Sequence, residues 1–436
     1  MKLQLIAPAI QESTPLKKTL CPPLGLAMVA ALTPPEVEVS LTDENVAVVD
    51  FQKEIDLVGV TAQTITAQRA YEICDSFRAR GVKVVLGGIH PSTLPEEASQ
   101  HADAVVIGEA EGIWSNLIED FKADKLQRVY MQRERPSLLK LPIPRRDLFA
   151  KGAYRVTNTI SATRGCPYAC SFCSVTSFLG HTYRCRPVAE VLNEIETLNQ
   201  RKLVVFVDDN IAGNPKFAKE LLRALVSYKI RWLAQASVAI ARDDELLKLA
   251  AASGCQALLI GFETVSPDNL VAIGKRASLV DEYPAVIRKI HSHGIAIHGF
   301  FILGLDGDNE DVFERTIRFA QEMRLESAQF AWPVPYPGTA LCKSLDKAGR
   351  IVTKDWLQYE SNLVFKPKLM SRELLQKGRD WVWCEFYSLP SIWRRVGLVR
   401  RNLVPIWVVN LYYRAFWRKK LRADKDGGKF EPHIVS

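Results

Sequence analysis

The chain has 436 residues, of which 47% are apolar and 24% charged, and its formal net charge is +8. This length accommodates two or three packed domains, and the composition excludes an intrinsically disordered protein. Nine Lys and Arg and no Asp or Glu lie between Arg394 and Arg422, so the rest of the chain is close to neutral. Basic residues are not spread over the body of the protein, which argues against nucleic-acid binding.

The amino terminus, MKLQLIAPAI, lacks the basic region, apolar core and cleavage site of a secretory signal, and it is predicted to be a first strand. We therefore expect a cytoplasmic protein. In a reducing compartment nine cysteines, an odd number, do not suit a disulfide framework. Cysteines that cluster in the sequence are then candidate metal ligands.

Residues 1–140 alternate short β-branched strands with helical stretches, which is typical of a parallel sheet with crossover helices. We predict a Rossmann-like α/β domain here. Each strand ends in small or polar residues, and ligands of open α/β sheets bind at those carboxyl ends. The predicted strands lie in LQLIAP, EVSLTDEN, LVGVTAQT, VKVVLGGI and ADAVVIGEAE.

Residues 141–157 carry prolines and charges without a sustained period and are predicted to be a linker. Six β/α units follow in residues 158–370, which predicts a partial (β/α)6 TIM-like barrel with functional groups at the strand ends. The strands are predicted in VTNTISAT, LVVFVDDN, WLAQAS, ALLIGFET, IAIHGFFILG and AQFAWPVP.

Residues 371–436 form a predicted helical region that is aromatic and basic. Its apolar run from Leu403 to Trp417 is too short and too polar to span a bilayer. Two interpretations stay open for it. It is either an interfacial helix at an anionic membrane or a tail packed on the barrel with its arginines in solvent.

Three cysteines, Cys166, Cys170 and Cys173, form a C-x3-C-x2-C motif in CPYACSFC. Structural zinc normally takes four ligands as two spaced pairs, and no second pair is present, although Cys185 or His181 lies close enough to be a fourth ligand. The alternative is an iron-sulfur cluster. Three thiolates would leave one iron of a cubane cluster open to a substrate.

The motif resembles the signature of radical S-adenosylmethionine (SAM) enzymes, C-x3-C-x-aromatic-C, with Phe172 as the aromatic residue. The resemblance implies a [4Fe-4S] cluster held by the three cysteines, with SAM chelated on the fourth iron and Phe172 against its adenine. It also implies reductive cleavage of SAM to a 5′-deoxyadenosyl radical, with a flavodoxin- or ferredoxin-type reductant. An apolar packing role for Phe172 is the alternative.

Residues at later strand ends match this family in order. Asp208, with its neighbours in FVDDN, takes the place of the aminoacyl contact, although the usual Gly-Gly-Glu is absent. Gln235 and Ser237 end the third barrel strand, and Glu263 in LLIGFETVS resembles the ribose-binding carboxylate. Gly304 in GFFILGLDG resembles the glycine motif that lines the adenine.

The amino-terminal domain resembles the cobalamin-binding domain of one subfamily, through CPPLGLAMVAAL, DEN, GGIHPSTLPEEA and VVIGEAEG. The Asp-x-His-x-x-Gly loop that supplies a histidine to cobalt is missing, and neither His90 nor His101 lies in such a motif. We therefore expect cobalamin without a histidine axial ligand. The resemblance implies methyl transfer to an unactivated carbon from methylcobalamin.

Two other functions stay open from the sequence. Without cobalamin, the same radical would drive cyclisation, carbon-carbon coupling or rearrangement. A protein of another class would bind the cluster or cobalamin, or sense redox state, without turnover. The substrate is expected to be a small hydrophobic or lipid-like molecule with an acidic head, reached by peripheral contact of the tail with the inner membrane face. His298 is a candidate proton donor, with a core histidine as the alternative, and Tyr336 is a candidate radical relay in a loop.

Overall fold

The computed structural model describes residues 1–9, 21–132, 134–275, 279–359, 361–397 and 403–423. Within these residues the chain forms two parallel six-stranded sheets, one after the other along the sequence, and ends in three helices.

The amino-terminal sheet is parallel throughout. Its strands are β1 (Lys2–Ala7), β2 (Glu38–Asp43), β3 (Leu57–Thr61), β4 (Lys83–Gly87), β5 (Ala104–Ile107) and β6 (Val129–Met131). They lie in the order β2-β1-β3-β4-β5-β6. The order changes direction between β1 and β3, and in doubly wound sheets such a switch point is where ligands bind at the carboxyl ends of the strands.

Helices cover both faces of this sheet. They are α1 (Leu24–Leu32), α2 (Ala67–Arg78), α3 (Ile89–Thr93), α4 (Pro95–His101) and α5 (Trp114–Lys122). Successive strand residues point to opposite faces. Val85 therefore packs with Leu5 in the core under α1 and α5, whereas its neighbour Leu86 packs with Val58 in the core under α2 and α4.

The second half of the chain has eight strands. They are β7 (Asn158–Ile160), β8 (Thr163–Gly165), β9 (Tyr183–Cys185), β10 (Val204–Phe206), β11 (Trp232–Ala236), β12 (Cys255–Glu263), β13 (Ala296–Ile302) and β14 (Ser327–Ala331). Six of them form a parallel sheet in the order β7-β10-β11-β12-β13-β14, which is the predicted partial barrel. The other two, β8 and β9, form an antiparallel hairpin at its edge.

The helices that follow these strands pack outside the barrel sheet around one large core. They are α7 (Val188–Glu196), α8 (Pro215–Leu225), α9 (Asp244–Ala252), α10 (Pro267–Ala272), α11 (Tyr283–Ser292), α12 (Asp311–Glu322) and α13 (Ala340–Lys347); the short helix before them, α6 (Ser174–Leu179), packs against α3 and β8 instead. The core includes the fully buried Trp232, Phe262 and Phe301. This packing fixes the strand ends where the cysteine loop lies.

The last helices, α14 (Arg372–Phe386), α15 (Leu389–Val396) and α16 (Leu403–Ala423), pack on the end of the barrel sheet. The Trp383 indole donates a hydrogen bond to the Phe330 carbonyl oxygen at 2.7 Å. Arg395, 1% exposed, donates to backbone carbonyl groups and, at 3.0 Å, to the side chain of Asn410 on α16. One face of α16 is thus packed on the protein, as the second interpretation of the tail predicts.

The predicted fold class is confirmed. It consists of a Rossmann-like domain, a partial six-stranded barrel and a helical C-terminal region. The sequence analysis missed β6 and the β8–β9 hairpin. The equally short β10 could be predicted because apolar neighbours extend its pattern, as in LVVFV, whereas VYM, TRG and YRC have no such neighbours. Part of the basic tail, at 398–402 and 424–436, lies outside the described residues. None of the described helices is long and apolar enough to cross a membrane.

Candidate active site

The three motif cysteines lie on one loop, residues 165–173, between β8 and α6. Gly165 begins this cluster loop with φ +88°, and a Cβ atom there would overlap a neighbouring backbone carbonyl group, so the turn requires glycine. At the other end, the Ser171 N–H donates to the Ile273 carbonyl oxygen at 2.9 Å, and the Ser171 carbonyl oxygen accepts from the Leu341 N–H at 2.8 Å. The backbone of the loop is therefore held from two sides.

The thiols of this loop are free and partly buried. Burial raises the pKa of Cys166, of Cys173 and of Cys170, the last to about 11. A buried thiol of this kind ionises when a metal ion supplies the compensating charge. The donor set therefore fits a metal cluster bound as thiolates.

The zinc alternative is not favoured by the geometry. In the described ranges, no three His, Cys, Asp or Glu side chains converge as ligands of a single metal ion. Zinc holds its thiolates about 2.3 Å from one shared centre, whereas a [4Fe-4S] cluster distributes three thiolates over three iron atoms. Cys185 lies on β9 opposite Thr163, and His181 is exposed.

The turn after β10 braces the strand that leads into the cluster loop. Asp208 is 1% exposed, and its carboxylate accepts hydrogen bonds from the Ala162 N–H at 3.1 Å, the Thr163 N–H and the Thr163 hydroxyl. Asp209 accepts from the Gly165 N–H at 3.2 Å. These bonds occupy the Asp208 carboxylate. Its predicted aminoacyl contact stays a prediction, and the contacts point instead to a bracing role.

Glu263 ends β12 in a left-handed conformation, φ +67°, and is 9% exposed. Its Oε1 lies 2.5 Å from the Nζ of Lys275, which also donates to the Gly261 carbonyl oxygen. Lys275 follows Gly274, which lies against the Ala169 carbonyl group of the cluster loop. The sequence analysis missed this lysine, because only the fold brings it back to the strand end.

The roles of three further predicted site residues remain predictions. Phe172 is half-buried and packs against the barrel core, as the apolar alternative expects. Gln235 is exposed at the end of β11, and Ser237 is 9% exposed with its hydroxyl 3.5 Å from the Tyr168 hydroxyl.

Gly304 serves the packing of the barrel. It has φ +93°, and a Cβ atom there would overlap the Leu375 side chain of α14. Its N–H donates to Asp308 Oδ2 at 2.9 Å. These contacts account for glycine at position 304 without any bound ligand. The predicted contact with adenine stays a prediction.

A cavity of about 540 Å³ lies between the carboxyl ends of the first sheet and the hairpin that leads into the cluster loop. Several strand ends contribute glycines, which have no side chain to fill the cavity. Most of the other lining residues are apolar. This combination fits a flat cofactor such as a corrin ring. Its lining includes Leu5, Met28, Gly87, Gly88, Arg164 and Phe178.

The two histidines of the first domain do not line this cavity. His90 is 1% exposed, and its ring nitrogens lie 3.3 Å from the Thr64 hydroxyl and 3.3 Å from a Glu97 carboxylate oxygen. His101 lies 2.8 Å from Asp75 at the surface. Both rings therefore have protein partners, and neither faces the cavity.

Four charged side chains join the two sheets beside the cavity. Glu109, after β5, accepts from Arg164 on β8 at 2.6 Å and from Arg184 on β9 at 2.6 Å. Glu111 pairs with the same Arg164, and this pairing lowers the pKa of Glu111, although burial alone would raise it. Arg164 precedes the first motif cysteine by two residues. We call Glu109, Glu111, Arg164 and Arg184 the interdomain clamp.

The sequence matches the Radical SAM superfamily over residues 160–320 and the B12 binding domain over residues 18–118. The bacteriochlorophyllide d C-12(1)-methyltransferase of Chlorobaculum tepidum is 34% identical over 410 residues, which cover 91% of this chain and 89% of that protein. The chain belongs to the radical SAM superfamily and carries a B12 binding domain. The hopanoid C-2 methylase of Rhodopseudomonas palustris is 28% identical over 456 residues, covering 94% of this chain and 86% of that one.

A solved structure shares the fold of this radical SAM protein. The radical SAM methyltransferase TsrM from Kitasatospora setae, with cobalamin and a [4Fe-4S] cluster bound, aligns with a TM-score of 0.72 at 17% identity over 97% of this chain and 99% of that chain.

The protein is therefore an enzyme of the cobalamin-dependent radical SAM methyltransferase group. The predicted cofactor set of [4Fe-4S] cluster, SAM and cobalamin is confirmed as that of the family. The alternative of a binding or sensing protein without turnover is not supported.

Proposed function

We propose that this radical SAM enzyme transfers a methyl group to an unactivated carbon of a hydrophobic or lipid-like small molecule. The observation that carries the proposal is the largely apolar cavity, which adjoins both the strand ends of the B12 binding domain and the hairpin of the cluster loop. The names of two relatives give bacteriochlorophyllide and hopanoids as the substrates of those proteins, which supports an apolar substrate for this one.

The position of each site residue indicates which cofactor it would hold. When bound, the cluster and SAM supply the radical, and cobalamin supplies the methyl group. Cys166, Cys170 and Cys173 would hold the cluster. Glu263, fixed by Lys275, would accept hydrogen bonds from the two ribose hydroxyls of SAM, because a charged acceptor suits two neutral donors.

Cysteine variants test the cluster assignment. C166A, C170A and C173A should each lose the iron content of the anaerobically reconstituted protein and its cleavage of SAM. C185A is the matched control, since Cys185 lies on the adjoining β9 strand, and it should keep both. A full cluster in any of the first three variants would overturn the assignment of ligands.

Product stoichiometry tests the reaction type. Methyl transfer of this kind consumes one SAM for the methyl group and one for the radical, so S-adenosylhomocysteine and 5′-deoxyadenosine should form in equal amounts with a reduced flavodoxin or ferredoxin. Cyclisation, coupling or rearrangement without cobalamin would give 5′-deoxyadenosine alone. The assay uses hydroxocobalamin-loaded enzyme, with bacteriochlorophyllide and hopanoid extracts as apolar substrates and a polar amino acid as the control.

We also propose that the enzyme works at the surface of an anionic membrane. The outer face of α16 carries an exposed apolar stripe at helical spacing, Val404, Val408 and Leu411, which are 72%, 60% and 44% exposed. Trp393 on α15 is 53% exposed, near the same helix. The segment from Leu403 to Arg422 contains no Asp or Glu, which suits anionic headgroups.

Surface substitutions test this location more cleanly than truncation, because removal of α15 and α16 would expose the packed face of α14. The V404D/V408D double variant should lose most binding to phosphatidylcholine vesicles that contain phosphatidylglycerol, measured by flotation. V48D is the control, because Val48 is 92% exposed on the first domain. Equal binding by the two variants would remove the membrane proposal.

A further inference from the structure

A buried side-chain amide lies without a partner beside the cluster loop. Asn210 is 2% exposed, and its Oδ1 accepts from the Ser237 N–H at 3.3 Å. Its backbone carbonyl oxygen accepts from the Gly213 N–H at 3.0 Å and from the Tyr183 hydroxyl at 2.8 Å. Its Nδ2 has no hydrogen-bond acceptor. Buried N–H groups are nearly always paired, so this orphan indicates an acceptor group beside it that forms when the site is loaded.

The neighbours of Asn210 show where that group lies. Along the turn, Asp208 accepts from the backbone at Thr163, and Asp209 accepts from the backbone at Gly165. The turn therefore runs beside β8 toward the cluster loop, and the first residue after β8 is Cys166. The two residues that hold Asn210 contact the loop on either side of Cys166: Tyr183 is paired with Gly165, and the Ser237 hydroxyl lies 3.5 Å from the Tyr168 hydroxyl.

The other polar atoms of Asn210 fix its orientation. Because Oδ1 is held by the Ser237 N–H, the amide cannot turn over without breaking that bond, and Nδ2 stays on the side of the loop. The backbone of the residue is held on the same turn by Tyr183 of β9. The donor is thus in place before any cofactor binds.

We propose that Asn210 donates a hydrogen bond from Nδ2 to the thiolate sulfur of Cys166 and so raises the reduction potential of the iron-sulfur cluster. A donor at a ligand sulfur offsets negative charge, which favours the reduced, more negative state of the cluster. Electron transfer from the reductant to the cluster is then less unfavourable in free energy. This inference rests on Cys166 being a cluster ligand, as in the proposed function.

Potentiometric titration of the reconstituted holoenzyme, followed by electron paramagnetic resonance without SAM, tests the inference. N210L removes the donor at similar size, and N210A removes it without added bulk. Both should lower the midpoint potential by the equivalent of about a tenfold change in the reduction equilibrium, about 59 mV for one electron.

The control is N158L. Asn158 is also buried, at 4% exposure, but it begins β7, at the end of the strand away from the loop, and its amide donates to the Asn199 carbonyl oxygen at 2.7 Å. Its midpoint should equal that of the wild type. Midpoints of N210L and N210A equal to that of N158L would overturn the proposal. So would loss of the cluster in both Asn210 variants while N158L keeps it, because Asn210 would then hold the loop rather than tune its potential. A C166A protein with a full cluster would instead overturn the ligand assignment.

Discussion

The interdomain clamp gives a prediction whose size follows from burial. In E109Q the carboxylate that joins two arginines becomes a neutral amide. Its NH2 group then faces one of the two guanidinium groups, so that a donor meets a donor. The Glu109 side chain is only 3% exposed, whereas those of Arg164 and Arg184 are 20% and 18% exposed. Arg164 keeps its pair with Glu111, but Arg184 loses its carboxylate.

Removal of one partner of a buried ion pair costs about 3–5 kcal/mol. Because water reaches both arginines in part, we expect the lower end of that range, about 3 kcal/mol of the free energy of unfolding. Urea titration followed by tryptophan fluorescence measures this difference. Hydrogen exchange locates it, and the exchange rate should rise in β8 and β9.

The matched control is E36Q. Glu36 also forms a short ion pair, 2.5 Å from Lys122, but its side chain is 59% exposed. Solvent screens such pairs, so E36Q should leave the urea midpoint unchanged. If E109Q and E36Q unfold at the same urea concentration, the argument that the clamp joins the two sheets is refuted.

Three further predictions concern single residues. K275M should weaken SAM binding at least tenfold in equilibrium dialysis, because Glu263 loses its lysine partner, whereas K275R should keep most of the affinity; equal affinities would contradict this. Burial lowers the pKa of His298 to about 4, so the unfolded chain takes up a proton first as the pH falls below about 6.5. Between pH 6.5 and 4 the wild type should lose up to about 3 kcal/mol of stability that H298Q keeps, and parallel urea curves for the two would refute it. G165A should lower the iron content per chain, because its φ and the adjacent carbonyl group exclude a Cβ atom; a normal iron content would show that the turn tolerates one.

The strands of both sheets could be predicted because each is a short run of apolar residues between turn residues. Val84, Val85 and Leu86 pack on both faces of the sheet, so their continuous apolar pattern is strong in the sequence. The cluster loop could be predicted as well, because its three ligands are close together in the chain. In both cases the signal is local.

The partners of the site residues could not be predicted, because they are distant in sequence. Glu109 and Arg164 are 55 residues apart, and nothing near either one identifies the other. Asp208 was predicted as the aminoacyl contact from the family resemblance, but its backbone partners, at Ala162 and Thr163, depend on how the chain after β7 lies beside the turn after β10. His298 lies early on β13, 2.8 Å from the Ser327 hydroxyl, which fits the core alternative better than a proton donor.

The interdomain clamp also limits whether the two domains can be separated or exchanged. A fragment that begins at residue 158 would contain all three motif cysteines, yet Arg164 and Arg184 would have lost the carboxylates that hold the hairpin of the cluster loop. An exchange of the first domain with that of a relative would supply new acidic residues in another position. A working chimera would therefore have to carry Glu109, Glu111 and the two arginines together, as a single inherited unit that crosses the boundary between the domains.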